Sequence, residues 1–166
     1  MVNATYLINQ FQMQKHPEGG FYKQTYRSDE FIKAEFLPAR FKGDRLFSTA
    51  IYFLLEGNDF SGFHRIKSDE LWHFYYGSAL HIFIIHPDGK MEINNLGNNL
   101  AVNENFQCVV KAGCWFAARP EHRESFSLVG CTVSPGFDFA DFELANRDML
   151  VNQYPQHKEI IQALCR

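Results

Sequence analysis

The sequence predicts an all-β barrel or sandwich with helices at its two ends, and three observations carry that prediction. From Arg45 onward the chain is a succession of short strands, roughly 45–56, 60–66, 70–76, 79–86, 91–95, 106–111, 115–118 and 125–133. Turn residues separate them, at Gly57-Asn58-Asp59, Gly77-Ser78, Pro87-Asp88-Gly89, Asn94 to Asn99, Ala112-Gly113 and Arg119-Pro120. Short strands with turns every ~8–12 residues argue for an antiparallel sandwich or barrel. Helical spacing is confined to the first dozen residues and to those after Pro135.

The 166 residues and 19.3 kDa fit one domain, residues 1–166, with the barrel over about 20–142 and two C-terminal helices over about 142–165. With 46% apolar residues, 16% aromatics and 17 Phe, the chain carries enough apolar surface for a packed core without a staple. A net charge of −3 and the lack of a Lys/Arg run exclude a nucleic-acid footprint. No stretch reaches the ~18 apolar residues of a membrane span, and MVNATYLINQ lacks the basic start and apolar run of a signal peptide, so a cytoplasmic protein is expected. Cys108, Cys114, Cys131 and Cys165 show no CxxC or zinc spacing and read as free thiols.

Taken in order, Asn3 caps a helix over about 4–13, with Leu7, Ile8 and Phe11 on one stripe. The segment HPEGGFYKQTYRS (16–28) turns at Pro17 and Gly19-Gly20 and then runs extended, with Tyr22, Gln24 and Tyr26 on one face. Residues 29–43 read as a loop broken by Pro38 and Gly43. Asp88-Gly89 marks a hairpin between 79–86 and 91–95. Asp141 reads as the cap of a helix placing Phe142, Ala145 and Met149 together, and Pro155 opens a last helix carrying Ile160, Ile161 and Leu164 inward.

The candidate chemistry lies in FSGFHRIKSDELWHFYYG (60–77), two apolar runs around Lys67-Ser68-Asp69 that read as a hairpin. On an extended second run Glu70, Trp72, Phe74 and Tyr76 share a face, opposite Leu71, His73 and Tyr75. A buried carboxylate requires a partner, a proton or water, and His64 is the nearest partner in sequence. His16, His86, His122 and His157 stand in turns or at element ends and read as surface histidines.

Through HPEGGFYKQTYRS (16–28), FHRIKSDELWHFYYG (63–77), KAGCWFAAR (111–119) and LVGCTVSPGFDFADFELA (128–145), the chain resembles the cupins, and among them the DUF985 or cupin 5 group. The resemblance implies a double-stranded β-helix, a jelly-roll barrel with a ligand cavity, in a superfamily whose members commonly pair. In the general cupin pattern His64 takes the first histidine position, and Glu70 and Gly77 match in spacing. Ile66 and Phe116 stand where two further metal ligands belong, and neither side chain offers a lone pair.

A metal-independent epimerase or isomerase acting on a sugar or sugar nucleotide is therefore the first expectation, since Gly62-Phe63-His64 also resembles the Gly-apolar-His run of cupin epimerases. In it His64 is the base, Glu70 orients the imidazole, and Tyr76 or Tyr22 is the acid. Tyr22, Trp72, Phe74, Phe116 and Arg119 are the substrate contacts, with Arg45, Arg65 and Arg123 as further candidates for an anionic group. No cofactor is expected. The alternative is a divalent metal on His64 and Glu70, helped by His73, His81 or water, in the manner of metal-dependent cupin isomerases and dioxygenases. A third reading is an aromatic-walled pocket that binds a small sugar-like or anionic ligand without turnover. The arm 16–28 needs a strand to pair with, which argues for a strand-sharing homodimer.

Overall fold

The computed structural model describes residues 2–166. Asn3 starts helix α1 (Ala4–Phe11) by accepting a hydrogen bond from the Tyr6 amide at 2.8 Å. The helix buries Ala4 and Leu7 against Met13, Leu54 and Leu128 on the outside of a sheet.

Two antiparallel sheets enclose the core. The larger runs in the order β1 (Gln14–Lys15), β2 (Phe21–Arg27), β5 (Thr49–Glu56), β12 (Phe126–Ser134), β7 (Asp69–Gly77) and β10 (Gln107–Val110). The other runs β13 (Glu143–Leu144), β6 (Ser61–Arg65), β11 (Trp115–Pro120), β8 (Leu80–Ile85) and β9 (Met91–Leu96). A small separate pair joins β3 (Phe31–Ile32) to β4 (Arg45–Leu46). Phe53, Trp72, Val129 and Cys131 of the first sheet meet Ile82, Ile84, Phe116 and Ala118 of the second in one buried cluster. Phe63, Phe83, Ile85 and Trp115 face the other way, under helices α2 (Arg147–Gln153) and α3 (Lys158–Leu164), with Ile161 and Leu164 against them. β8 is thus covered on both faces, which is why it reads as an unbroken apolar run. This is the double-stranded β-helix expected from the sequence.

The hairpin at Asp88-Gly89 forms as expected: β8 pairs with β9, His86 donates to Lys90 at 2.9 Å, and Gly89 takes a positive φ of 85°. The hairpin expected over 60–77 does not. β6 and β7 belong to different sheets, because the turn between them carries the chain across the sandwich. Its backbone and side chains are held by distant partners, Ile66 carbonyl by the Gly113 amide (2.9 Å) and Ser68 Oγ by the Pro135 carbonyl (2.7 Å).

Asp141 caps no helix. It closes a short 3-10 turn (Phe139–Asp141), and its buried carboxylate accepts two bonds from Arg45, at 2.6 and 2.7 Å. Asn146 caps α2 instead, accepting from the Met149 amide, and Met149 itself is 72% exposed. All four cysteines are free and buried. Among the described residues no helix is long and apolar enough to cross a membrane.

Candidate functional site

The site begins in the turn between β1 and β2. His16 donates its amide to the Gly20 carbonyl at 3.1 Å, and Gly19 and Gly20 take positive φ values of 117° and 71° that residues with a Cβ rarely adopt. This tight turn presses against residues 59–62 and sends Glu18 inward. Arg166 fixes it there: its Nε donates to the Glu18 carbonyl and its Nη2 to the Phe60 carbonyl, each at 2.7 Å, while Nη2 also meets Asp59. Asp59 in turn accepts from the Gly20 amide at 2.9 Å, and the Gly62 amide donates to the Glu18 carbonyl at 2.8 Å.

The buried Glu18 carboxyl accepts from Ser61 Oγ at 2.7 Å, and its other oxygen lies 3.0 Å from His64 Nε2. His64, on β6, has its Nδ1 2.7 Å from the Gly62 carbonyl. A carbonyl only accepts, so Nδ1 carries the proton and Nε2 the lone pair. Burial pulls the His64 pKa down to about 4, only partly offset by the Gly62 bond. Burial pushes the Glu18 carboxyl up, against the opposing influence of His16, Ser61 and Arg166. Both directions favour an uncharged pair in which the Glu18 O–H donates to His64 Nε2. The same Glu18 oxygen lies 3.5 Å from His16 Nδ1, which accepts a long bond from the Glu18 amide at 3.4 Å. Burial lowers the His16 pKa as well.

From the opposite sheet comes Glu70, on β7. Its carboxyl lies against the Cys131 thiol, and burial, with the neighbouring Glu18 carboxyl second, raises its pKa to about 8. Burial and the nearby Glu70 hold the Cys131 thiol far above its ordinary value.

These groups surround a cavity of about 140 Å³ whose other walls include Tyr22, Ile51, Phe53, Ile66 and Val133, and no Lys or Arg. Gln24, Thr49, Phe137 and Phe139 form its outer rim and are shared with a wider basin of about 520 Å³ bordered by Arg27, Phe31, Asp44, Arg45 and Asp138.

His64, Glu70 and Tyr22 are therefore at the cavity, as the sequence suggested, but the carboxylate paired with His64 is Glu18 and not Glu70. Tyr76 is on the outside, half-exposed beside Phe126. The β7 to β12 register shifts between Phe74 and Tyr76, leaving Tyr75 as an extra residue, and this bulge turns Tyr76 away from the face of Glu70. Trp72 is fully buried and edge-on to Phe53 and Phe116, and Phe74 is half-buried against the same core, so both support the cavity from behind without lining it. Phe116 backs the His64 ring at 4.0 Å between centroids. Arg119 lies outside, over the Phe83 ring. Arg45 is tied to Asp141 and Arg65 to Glu143, while Arg123 borders a separate surface cleft, so none of these reaches the cavity. His73 binds Thr132 and Gln107 on the far face, and His81 borders the same cleft as Arg123.

Sequence reasoning missed Glu18 and read His16 as a surface histidine. The available signal was His-Pro-Glu-Gly-Gly itself, an imidazole and a carboxylate two residues apart, held between Pro and two Gly. The cupin metal does not fit this donor set. Two ligand positions hold Ile66 and Phe116, both ring nitrogens of His64 are engaged by Gly62 and Glu18, and no three His, Cys, Asp or Glu side chains among the described residues are arranged to hold one ion.

Two facing antiparallel sheets with a cavity between them define a jelly roll of the cupin type. Residues 5–145 match the family model of the cupin superfamily group DUF985 (Cupin_5), and the chain belongs to that family. It is 31% identical over 143 residues to the uncharacterized protein YML079W of Saccharomyces cerevisiae, covering 81% of this chain and 71% of the yeast protein. Among solved structures it is similar to protein SO0799 from Shewanella oneidensis, at 42% identity and a TM-score of 0.89 over 100% of this chain and 99% of that one. A hypothetical protein from Leishmania major gives 30% identity and a TM-score of 0.89, over 99% of both chains. Oxalate decarboxylase from Bacillus subtilis, at 13% identity, a TM-score of 0.55, 90% of this chain and 36% of its own, shares the fold alone.

Proposed function

We propose that the cavity binds the carbonyl end of a small sugar-like molecule and moves a proton on the carbon beside that carbonyl, without a metal. The observation that carries this reading is a set of two carboxyls and two imidazoles around one cavity, with burial raising Glu70 to about 8 and lowering His16 below its ordinary value. Groups displaced in opposite directions supply an acid and a base at the same pH.

Both nitrogens of His64 are satisfied inside the protein, so the base in this proposal is His16, whose Nε2 has no protein partner among the described residues. In the tautomer that carries its proton on Nδ1, turned to the Glu18 carboxyl in place of the long amide contact, neutral His16 takes the C–H proton on Nε2. Protonated Glu70 gives its proton to the carbonyl oxygen, leaving an enediol, an imidazolium and a carboxylate. His16 then returns its proton to the neighbouring carbon while the second enediol hydroxyl gives its proton to the Glu70 carboxylate, which yields the isomer and restores both groups. Glu18 and His64 act as positioning residues behind His16.

The completeness with which His64 is satisfied favours a second reading, a pocket that binds without turnover. Deuterium wash-in from D2O into small keto- and aldo-sugars, followed by NMR, separates the two. Exchange should occur and fall by about 100-fold or more in His16→Ala and Glu70→Gln, the usual share of general acid–base catalysis. Tyr76→Phe should leave it unchanged. Ligand-dependent melting shifts without any exchange would establish the binding reading instead.

A further inference from the structure

The inner cavity contains no cationic side chain that is charged at neutral pH, so the part of a ligand buried there is not an anion. The outer basin differs. Strand β2 runs from one chamber to the other, and its pairing with β5 carries Tyr22 opposite Phe53 and Gln24 opposite Ile51, both on the cavity face. Regular alternation would then turn Arg27 outward, since it stands an odd number of residues further on. The register shifts between Gln24 and Tyr26, however, leaving Thr25 unpaired, and Arg27 falls opposite Thr49, a residue of the shared rim. A bulge of this kind re-aims the side chains beyond it.

The other charges of the basin are largely spoken for. Arg45 is bound by buried Asp141, Asp44 accepts from Lys33 at 3.0 Å and from the Ala34 amide at 2.9 Å, and Asp138 accepts from the Ala140 amide at 2.8 Å. Arg27 has no ion pair among the described residues, although the bulge has turned it into the basin that shares its rim with the cavity.

We infer that the ligand is bipartite: an uncharged carbonyl head in the inner cavity and an oxyanion, phosphate or carboxylate, held by Arg27 in the outer basin. This rests on the inner cavity being the reactive chamber, and it adds the charge class of the substrate and the residue that selects it. A guanidinium offers paired donors in the geometry that either oxyanion requires.

Calorimetric titration tests it with four probes, D-ribose against D-ribose 5-phosphate and D-glucose against D-glucuronate. At least one charged probe should bind about tenfold or more tightly than its neutral parent, the usual range for one charge-assisted contact. That advantage should disappear in Arg27→Gln and persist in Arg119→Gln, whose guanidinium lies on the outer face. The phosphate and carboxylate arms show which oxyanion is preferred. Equal affinity for charged and neutral probes, an advantage that survives Arg27→Gln, or no binding by any of the four overturns the inference. Deuterium exchange without charge preference would leave the proton-transfer reading standing and remove this one, while charge preference without exchange would do the reverse.

Discussion

Glu70 and His64 put opposite slopes into the pH dependence of stability. The Glu70 pKa is about 8 in the folded protein and about 4.5 in the unfolded chain, so the fold binds this proton more tightly. Its contribution is full below pH 4.5 and is lost as pH rises towards 8. His64 is lowered from 6.5 to about 4, so its contribution is present above pH 6.5 and is lost as pH falls towards 4. Glu70→Gln should flatten the alkaline decline and be more stable than the parent at pH 8–9, by on the order of a few kcal/mol. Melting temperatures recorded from pH 4 to 9 check this, and parallel curves for the two proteins would refute it. At this scale the sequence showed a buried carboxylate at Glu70 and an imidazole at His64, because both sit in apolar strands. It did not show Glu18, whose strand-free surroundings of Pro and Gly carry no periodicity from which burial can be read.

The elements that hold the site act through their ends. Arg166 ties the 16–20 turn to Asp59 and Phe60 and shares the Glu18 carbonyl with the Gly62 amide, so one guanidinium steadies the backbone on both sides of His64. Arg166→Ala should destabilise the protein by ~1–3 kcal/mol, the range for lost charge-assisted bonds. Amide hydrogen exchange at Gly20 and Gly62 should accelerate along with it, and unchanged protection at both would disprove the role. Strand limits were legible because alternation and turn residues agree over most of the barrel, as at Asp88-Gly89. Two features escaped because they are choices of partner. The turn at Lys67-Ser68 has the composition of a hairpin yet crosses between sheets, and the extra residue Tyr75 reverses the facing of Tyr76 with no Gly or Pro to mark it.

Across the molecule, the barrel keeps the cupin form, with apolar Ile66 and Phe116 at two positions where the general cupin pattern has metal ligands. Dialysis against EDTA should therefore leave both the melting temperature and the deuterium exchange unchanged, and a loss of either, restored by a divalent ion, would contradict the metal-free mechanism. The jelly roll was legible because its strands follow in order with short turns, whereas the pairing of the arm was not, since pairing is set in three dimensions. The arm adds to β5 of its own chain, so its hydrogen bonds make no demand for a second copy. His16 and Glu18 ride on the five residues joining β1 to β2, while His64 and Glu70 belong to the walls. The acid–base repertoire of such a barrel can thus be rewritten by exchanging a single short connection, with the foundations left standing, which makes residues 16–20 the place where descendants of this fold acquire new chemistry most cheaply.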